Sequence, residues 1–150
     1  MLLDALLVLS AAQTVTTTAV STNTVDLKSA RDIAPGSDIY AVIGVDEAAT
    51  AAGAATVAFE IISSAAADLS SPTVLVSTAP IGKAELTLGR RPIAIEIPDT
   101  ILAAQPIGQR YLGVRYTVAT GPLTAGKFTC YFADDKPSVG KYYPSGFSVF

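Results

Sequence analysis

The chain contains no histidine and no tryptophan, and it has a single cysteine and a single methionine. Without histidine there is no Ser-His-Asp or Cys-His catalytic arrangement. A lone thiol and no imidazole leave no His-ligated or cysteine-cluster zinc site within one chain. Cys130 has no internal partner, so no disulfide framework forms. Charge is scarce as well. Charged residues are 15% of the chain, with ten basic and thirteen acidic residues and a net charge of -3. The basic residues stand singly apart from Arg90-Arg91. A nucleic-acid binder needs a basic stripe to neutralise phosphates, so no nucleic-acid partner is expected. No apolar run approaches the roughly 18 residues that span a membrane, so no membrane partner is expected either. Met1–Leu9 imitates a secretory signal, but no Lys or Arg precedes Lys28 and Asp4 interrupts the apolar run. Synthesis in the cytoplasm is the expectation, in keeping with an unpaired cysteine.

What is present is a chain of 150 residues, half of them hydrophobic, with 25 alanines among those. That length suits one domain with a core of its own. Leu2, Leu3, Leu6 and Leu7 fall at helical spacing and predict a short helix or an arm. From Gln13 the period becomes two, and the threonine-rich run through Ala19 predicts a strand. Asp38–Asp46 places Ile39, Ala41, Ile43 and Val45 on one face, and Thr56–Ile62 does the same with Val57, Phe59 and Ile61. Thr73–Thr78 and Glu85–Leu88 are short candidate strands, and Ile93–Ile97 alternates strictly before Pro98. Tyr111–Val118 sends Leu112, Val114, Tyr116 and Val118 to one side, and Lys127–Ala133 does so with Phe128, Cys130 and Phe132. Ala65–Asp68 reads as a helical turn within a polar loop. Eight to nine strands between Gly, Pro, Ser and Asp clusters are the pattern of an all-β sandwich or barrel. The expected core is Ile39, Ile43, Phe59, Ile61, Ile93, Ile95, Val114, Tyr116, Phe128 and Phe132.

One internal echo stands out. Gly53-x-x-Thr56-x-x-Phe59 recurs as Gly126-x-x-Thr129-x-x-Phe132, each with a valine eight residues before the glycine. The period is not sustained, so two similar hairpins are expected rather than a repeat. Residues able to carry chemistry are few. Asp46-Glu47 and Asp134-Asp135 sit at strand ends, and neighbours on a strand point to opposite faces. Neither pair converges for acid–base work or metal binding. The glycine-rich stretches lack the Gly-Lys-Ser/Thr of a phosphate loop. Cys130 falls between Phe128 and Phe132 on an inward face, which suits a small buried side chain. Lys141–Phe150 carries four aromatics in ten residues. It is either a last strand on the protein's own body or an anchor on a neighbour, where Tyr and Phe are favoured.

The order of several segments resembles the capsid cement, or decoration, proteins of short-tailed bacteriophages. These segments are MLLDALLVLSAAQTVT at the start, Asp26–Ile33, Leu69–Leu75, Arg110–Gly126 and Tyr143–Phe147. The resemblance implies a jelly-roll-like antiparallel β-sandwich, one domain over residues 1–150 with terminal arms over about 1–12 and 136–150. It implies a structural virion protein that lies on the outer capsid surface and cements neighbouring major capsid subunits of the HK97-like type. It also implies self-association, as dimers, with no catalysis and no cofactor. The expected partner-binding residues are the apolar ends: Leu2, Leu3, Leu6 and Leu7, with Tyr142, Tyr143, Phe147 and Phe150. The other reading is a carbohydrate- or receptor-binding β-sandwich module of a phage tail or fibre. Such sites usually display exposed aromatics, often Trp, which this chain lacks.

Overall fold

A computed structural model describes residues 4–30 and 36–134. Among the described residues ten strands run β1 Val8–Thr14, β2 Ala19–Val20, β3 Val25–Asp26, β4 Ile39–Thr50, β5 Thr56–Ser64, β6 Thr73–Ser77, β7 Ile81–Gly82, β8 Ile93–Ile97, β9 Tyr111–Ala119 and β10 Ala125–Ala133. One short helix, α1, spans Asp99–Ala103. One sheet has the order β1-β10-β4-β8. The other is built on β9-β5-β6, with β2 and β3 both pairing β9, and β7 pairing β5. Every pairing is antiparallel. Along the chain the sheet changes between β1 and β2, β3 and β4, β4 and β5, β7 and β8, β8 and β9, and β9 and β10. This alternation is the jelly-roll arrangement, and the all-β sandwich expected from the sequence is the fold.

Alternation on the strands builds the core. Phe59 faces Tyr116 in the β5–β9 register and Phe128 faces Val45 in β10–β4. These two sheets bring Phe59, Tyr116 and Phe128 together, all fully buried. Phe59 meets the other two rings edge-on at 5.8 and 5.4 Å, and Tyr116 stacks on Phe128 at 5.7 Å. Such geometry adds to area burial because ring edges and faces carry opposite partial charge. The Tyr116 hydroxyl donates to Ser10 Oγ at 2.8 Å, and Ser10 Oγ donates to Gln13 Oε1 at 2.8 Å. Gln13 Nε2 then donates to the Val20 carbonyl at 2.8 Å. A buried hydroxyl thereby finds its partner, and the chain from β1 to β2 is tied across the sandwich. Of the expected core, Ile39 and Ile93 are half-buried against the cluster and the other eight are buried.

Five expectations are corrected. The threonine run is not one strand: β1 ends at Thr14 and β2 begins at Ala19. Between them the chain leaves one sheet for the other, and side chains replace ladder bonds. Thr18 Oγ1 accepts from the Val118 N–H at 3.0 Å and donates to the Val118 carbonyl at 3.3 Å. Glu85–Leu88 is no strand either. Lys83–Glu85 forms a 3-10 turn that drops Leu86 into the core, where its carbonyl accepts from Ala49 N–H at 2.9 Å. Helix α1 follows Pro98, where a strand end was expected and no helix was. The arm expected over residues 1–12 becomes strand from Val8, with Leu9 fully buried. The arm expected over 136–150 lies outside the described residues. Finally, the two echoed segments are not hairpins within a sheet. One crosses from β4 to β5 and the other from β9 to β10, side by side. Thr124 N–H donates to the Thr50 carbonyl at 2.7 Å, and their hydroxyls meet at 2.7 Å.

Candidate functional site

The two ends of the sandwich differ in character. One end is closed by the paired crossings just described. At the other end β1, β4 and β9 begin and β3, β8 and β10 finish. There the sheets gape around a cleft of about 250 Å³. Ile39 and Phe132 line it from one sheet, Val25 and Leu112 from the other, and Leu7 and Leu27 close its sides. Asp134 stands at the wall where β10 runs out.

Local chemistry shapes these walls. Asp4, which breaks the apolar run in the sequence, caps a 3-10 turn over Ala5–Leu7 and accepts from the Leu6 N–H at 2.9 Å. That turn points its two leucines differently. Leu7 packs on the core while Leu6 is 80% exposed. On the other side Arg110 grips Asp26 with a two-pronged fork, Nε to Oδ1 at 2.7 Å and Nη2 to Oδ2 at 2.9 Å. The Arg110 carbonyl also accepts from the Leu27 N–H at 3.1 Å, and its guanidinium lies 5.1 Å from the centre of the Tyr111 ring. Bidentate pairing of this kind fixes geometry as well as charge. It holds the stretch after β3, and with it Leu27, against the start of β9. The hydrogen bond from Arg110 brings the Asp26 carboxyl down to about 2. At the same end the connection from α1 to β9 lifts Ile107 fully into solvent between Pro106 and Gly108.

Of the residues singled out for chemistry, Asp134 is the one at the cleft wall, Asp135 lies outside the described residues, and the others fall elsewhere. Asp46 accepts from Thr129 Oγ1 at 2.5 Å, and Glu47 pairs with Lys127 at 3.1 Å, so both carboxylates are tied to β10. Cys130 is fully buried, and burial pushes its thiol up to about 12. On the outer face of the second sheet Glu60 accepts from Arg115 at 2.5 Å and from Thr117 at 2.7 Å. Burial raises the Glu60 carboxyl, and these hydrogen bonds more than offset it, so the group sits below its ordinary range. Among the described residues no three of His, Cys, Asp and Glu cluster as a metal site would require. No helix among them is long and apolar enough to cross a membrane.

Of the expected partner-binding residues, Leu6 and Leu7 both lie at the open end, one exposed and one on the cleft wall. Leu2, Leu3, Tyr142, Tyr143, Phe147 and Phe150 lie outside the described residues. Val25, Leu27, Leu112 and Ile107 were not read as site residues from the sequence. Ile107 carried a legible signal, an apolar residue between turn formers.

No curated protein matches the chain. The Bbp16 family model matches residues 9–132, which runs from the first buried residue of β1 to the inward Phe132 of β10 and so takes in every long strand of the sandwich. A match over most of the chain, on a fold that it covers from end to end, places this protein in the phage-related Bbp16 family.

Proposed function

We propose that the protein is a structural component of a tailed-phage virion that lies on the outer capsid surface and cements neighbouring major capsid subunits of the HK97-like type. The observation that carries this reading is membership of a phage-related family across the whole jelly roll. The resemblance of the ordered segments to capsid cement proteins adds the role. The open end of the sandwich supplies a contact face: Leu6 and Ile107 stand in solvent at the end that holds the apolar cleft. Leu7 supports that face from beneath, and Leu2, Leu3, Tyr142, Tyr143, Phe147 and Phe150 stay with it as proposed partner-binding residues. The protein acts without catalysis and without a cofactor, is made in the host cytoplasm and works as a self-associated pair.

The physical logic is additive. A shell under pressure from packaged DNA separates where subunit contacts are weakest. A rigid body spanning such a boundary makes separation require the loss of its own contacts too. Burying one large apolar side chain is worth roughly 1.5–3 kcal/mol, and symmetric copies act together, so modest single contacts sum to a large effect. The test is to mix purified protein with capsids that lack it and to sediment the mixture. Saturable binding at a fixed ratio to the shell protein, with shells that survive higher temperature, supports the reading. Capsids that pellet alone contradict it.

A further inference from the structure

The edge of a sheet carries unpaired N–H and C=O groups that invite a further strand, and folded proteins blunt such edges with bulges, charges or a covering segment. The segment from β2 to β3 covers β1. Asn23 N–H donates to the Leu9 carbonyl at 2.9 Å, and Gln13 Oε1 accepts from Thr22 N–H at 3.0 Å. The edge at β6 is broken by a bulge, since its register on β5 passes from Val74 to Val76 and leaves Leu75 without a counterpart. Between its flanking prolines β8 carries neither device. Its five residues pair with β4 one for one, from Ile97 with Ile39 to Ile93 with Ile43, and no shift interrupts them. Among the described residues no backbone group outside β4 bonds to Ile93–Ile97.

The sequence around β8 is complementary to itself when reversed. About Ile95 as centre, Ile93 matches Ile97, Ala94 stands against Glu96, Pro92 matches Pro98 and Arg91 stands against Asp99. A two-fold axis between identical antiparallel strands brings such positions face to face. We infer that β8 pairs with β8 of a second copy about an axis at Ile95, which joins the four-stranded sheets of both copies into one. The prolines lack an N–H and end the pairing at both sides. Ile95 and Ile97 are buried and Ile93 is half-buried at the edge, so Ile93 gains Ile97 of the second copy as a cover. On the outer face the exposed Glu96 meets the small Ala94. The two glutamates lie on a diagonal of roughly 7–8 Å, in solvent, where salt screens them. At each end the exposed Arg91 comes opposite Asp99, so unlike charges meet twice. Asp99 Oδ2 also accepts from Gly36 N–H at 3.2 Å, and a carboxylate takes several donors. This inference rests on the self-association proposed above and gives it a surface.

The experiment is sedimentation equilibrium of the full chain at low ionic strength, where exposed charges act most strongly. Arg91→Asp sets acid against acid at both ends of its own dimer, and Asp99→Arg sets base against base. A mixed dimer of the two variants sets acid against base at both ends. The expected result is a wild-type dimer, a dissociation constant raised at least tenfold in each variant alone, and recovery of the dimer when the two are mixed in equal amounts. Undiminished dimers of both variants, or weakened variants that stay apart on mixing, overturn the inference and leave the pair to another face. A wild type that is monomeric at every concentration overturns the self-associated pair as well. Amide hydrogen exchange of the wild type needs no variant. The outward amides of Ile93–Ile97 are expected to exchange at least tenfold more slowly in the dimer than in the diluted monomer, and equal exchange in both states overturns the inference.

Discussion

Gly113 lies directly beneath Leu69. A Cβ at Gly113 would overlap Leu69 Cδ1 and come within 3.0 Å of Ser21 Oγ. Gly113 sits on the outer face of β9, paired with Ile62 of β5, and both Ile62 and Leu69 are buried there. The loop after β5 thus folds back over its own sheet. Ser64 Oγ donates to the Ser70 carbonyl at 2.7 Å and Asp68 Oδ1 accepts from Ser70 N–H at 3.0 Å. Glycine at 113 is what lets Leu69 settle on the sheet.

Gly113→Ala is therefore expected to destabilise the protein by about 1–3 kcal/mol, the usual cost of overpacking. In Leu69→Ala the same substitution should cost less, because the obstructing methyl is gone. Urea unfolding of the two single variants and the double variant measures that coupling. Equal costs for Gly113→Ala in both backgrounds would show that Leu69 does not press on this site.

Phe128→Ala should cost about 3–5 kcal/mol, since it removes a fully buried ring that touches both Phe59 and Tyr116. For a protein of this size each kcal/mol lowers Tm by roughly 2–4 °C. An unchanged thermal melt would place Phe128 outside the core.

Cys130 should resist thiol reagents in the native protein and react fully once unfolded. It is without solvent exposure, and its thiol lies at about 12, so the reactive thiolate is scarce at neutral pH. Rapid labelling under native conditions would mean that β10 presents its other face inward.

The Asp26–Arg110 pair predicts a pH dependence. Hydrogen bonding by Arg110 lowers Asp26 from 3.8 to about 2 in the folded protein. A depressed folded value means that the contribution is present above about pH 4 and is lost as pH falls through about 2. Asp26→Asn should therefore be less stable than wild type at pH 7, with the gap closing toward pH 2. Denaturation midpoints of both proteins across that range supply the check, and a gap that widens in acid would contradict the assignment.

Much of the fold was legible because alternation survives translation into packing. Phe59, Tyr116 and Phe128 each announce an inward face by their spacing alone, and the sheets bring them together. Leu86 did not announce itself, because a 3-10 turn has neither strand nor helix period. The threonine run misled for a related reason: high strand propensity is shared by residues that make a crossing, where Thr18 bonds with its side chain. The site was legible only in part. Leu6 and Leu7 stand out by composition, but Val25, Ile39, Leu112 and Phe132 meet around a cleft only because their strands begin or end at the same end of the sandwich. That is topology, and no local pattern encodes it.

In the proposed function one end of the sandwich meets the shell, and exposed apolar residues at opposite ends separate that role from its rivals. Leu6 and Ile107 lie at the open end, and Leu88, 66% exposed, lies toward the end of the crossings. None of the three is buried, so a charge at each should leave the thermal melt close to wild type. The measurement is co-sedimentation with capsids of Leu6→Asp combined with Ile107→Asp, beside Leu88→Asp. The account predicts that the first variant binds at least about tenfold more weakly, the equivalent of about 1.4 kcal/mol, while Leu88→Asp binds as wild type does. Undiminished binding by the first variant, or loss of binding by Leu88→Asp alone, would contradict it.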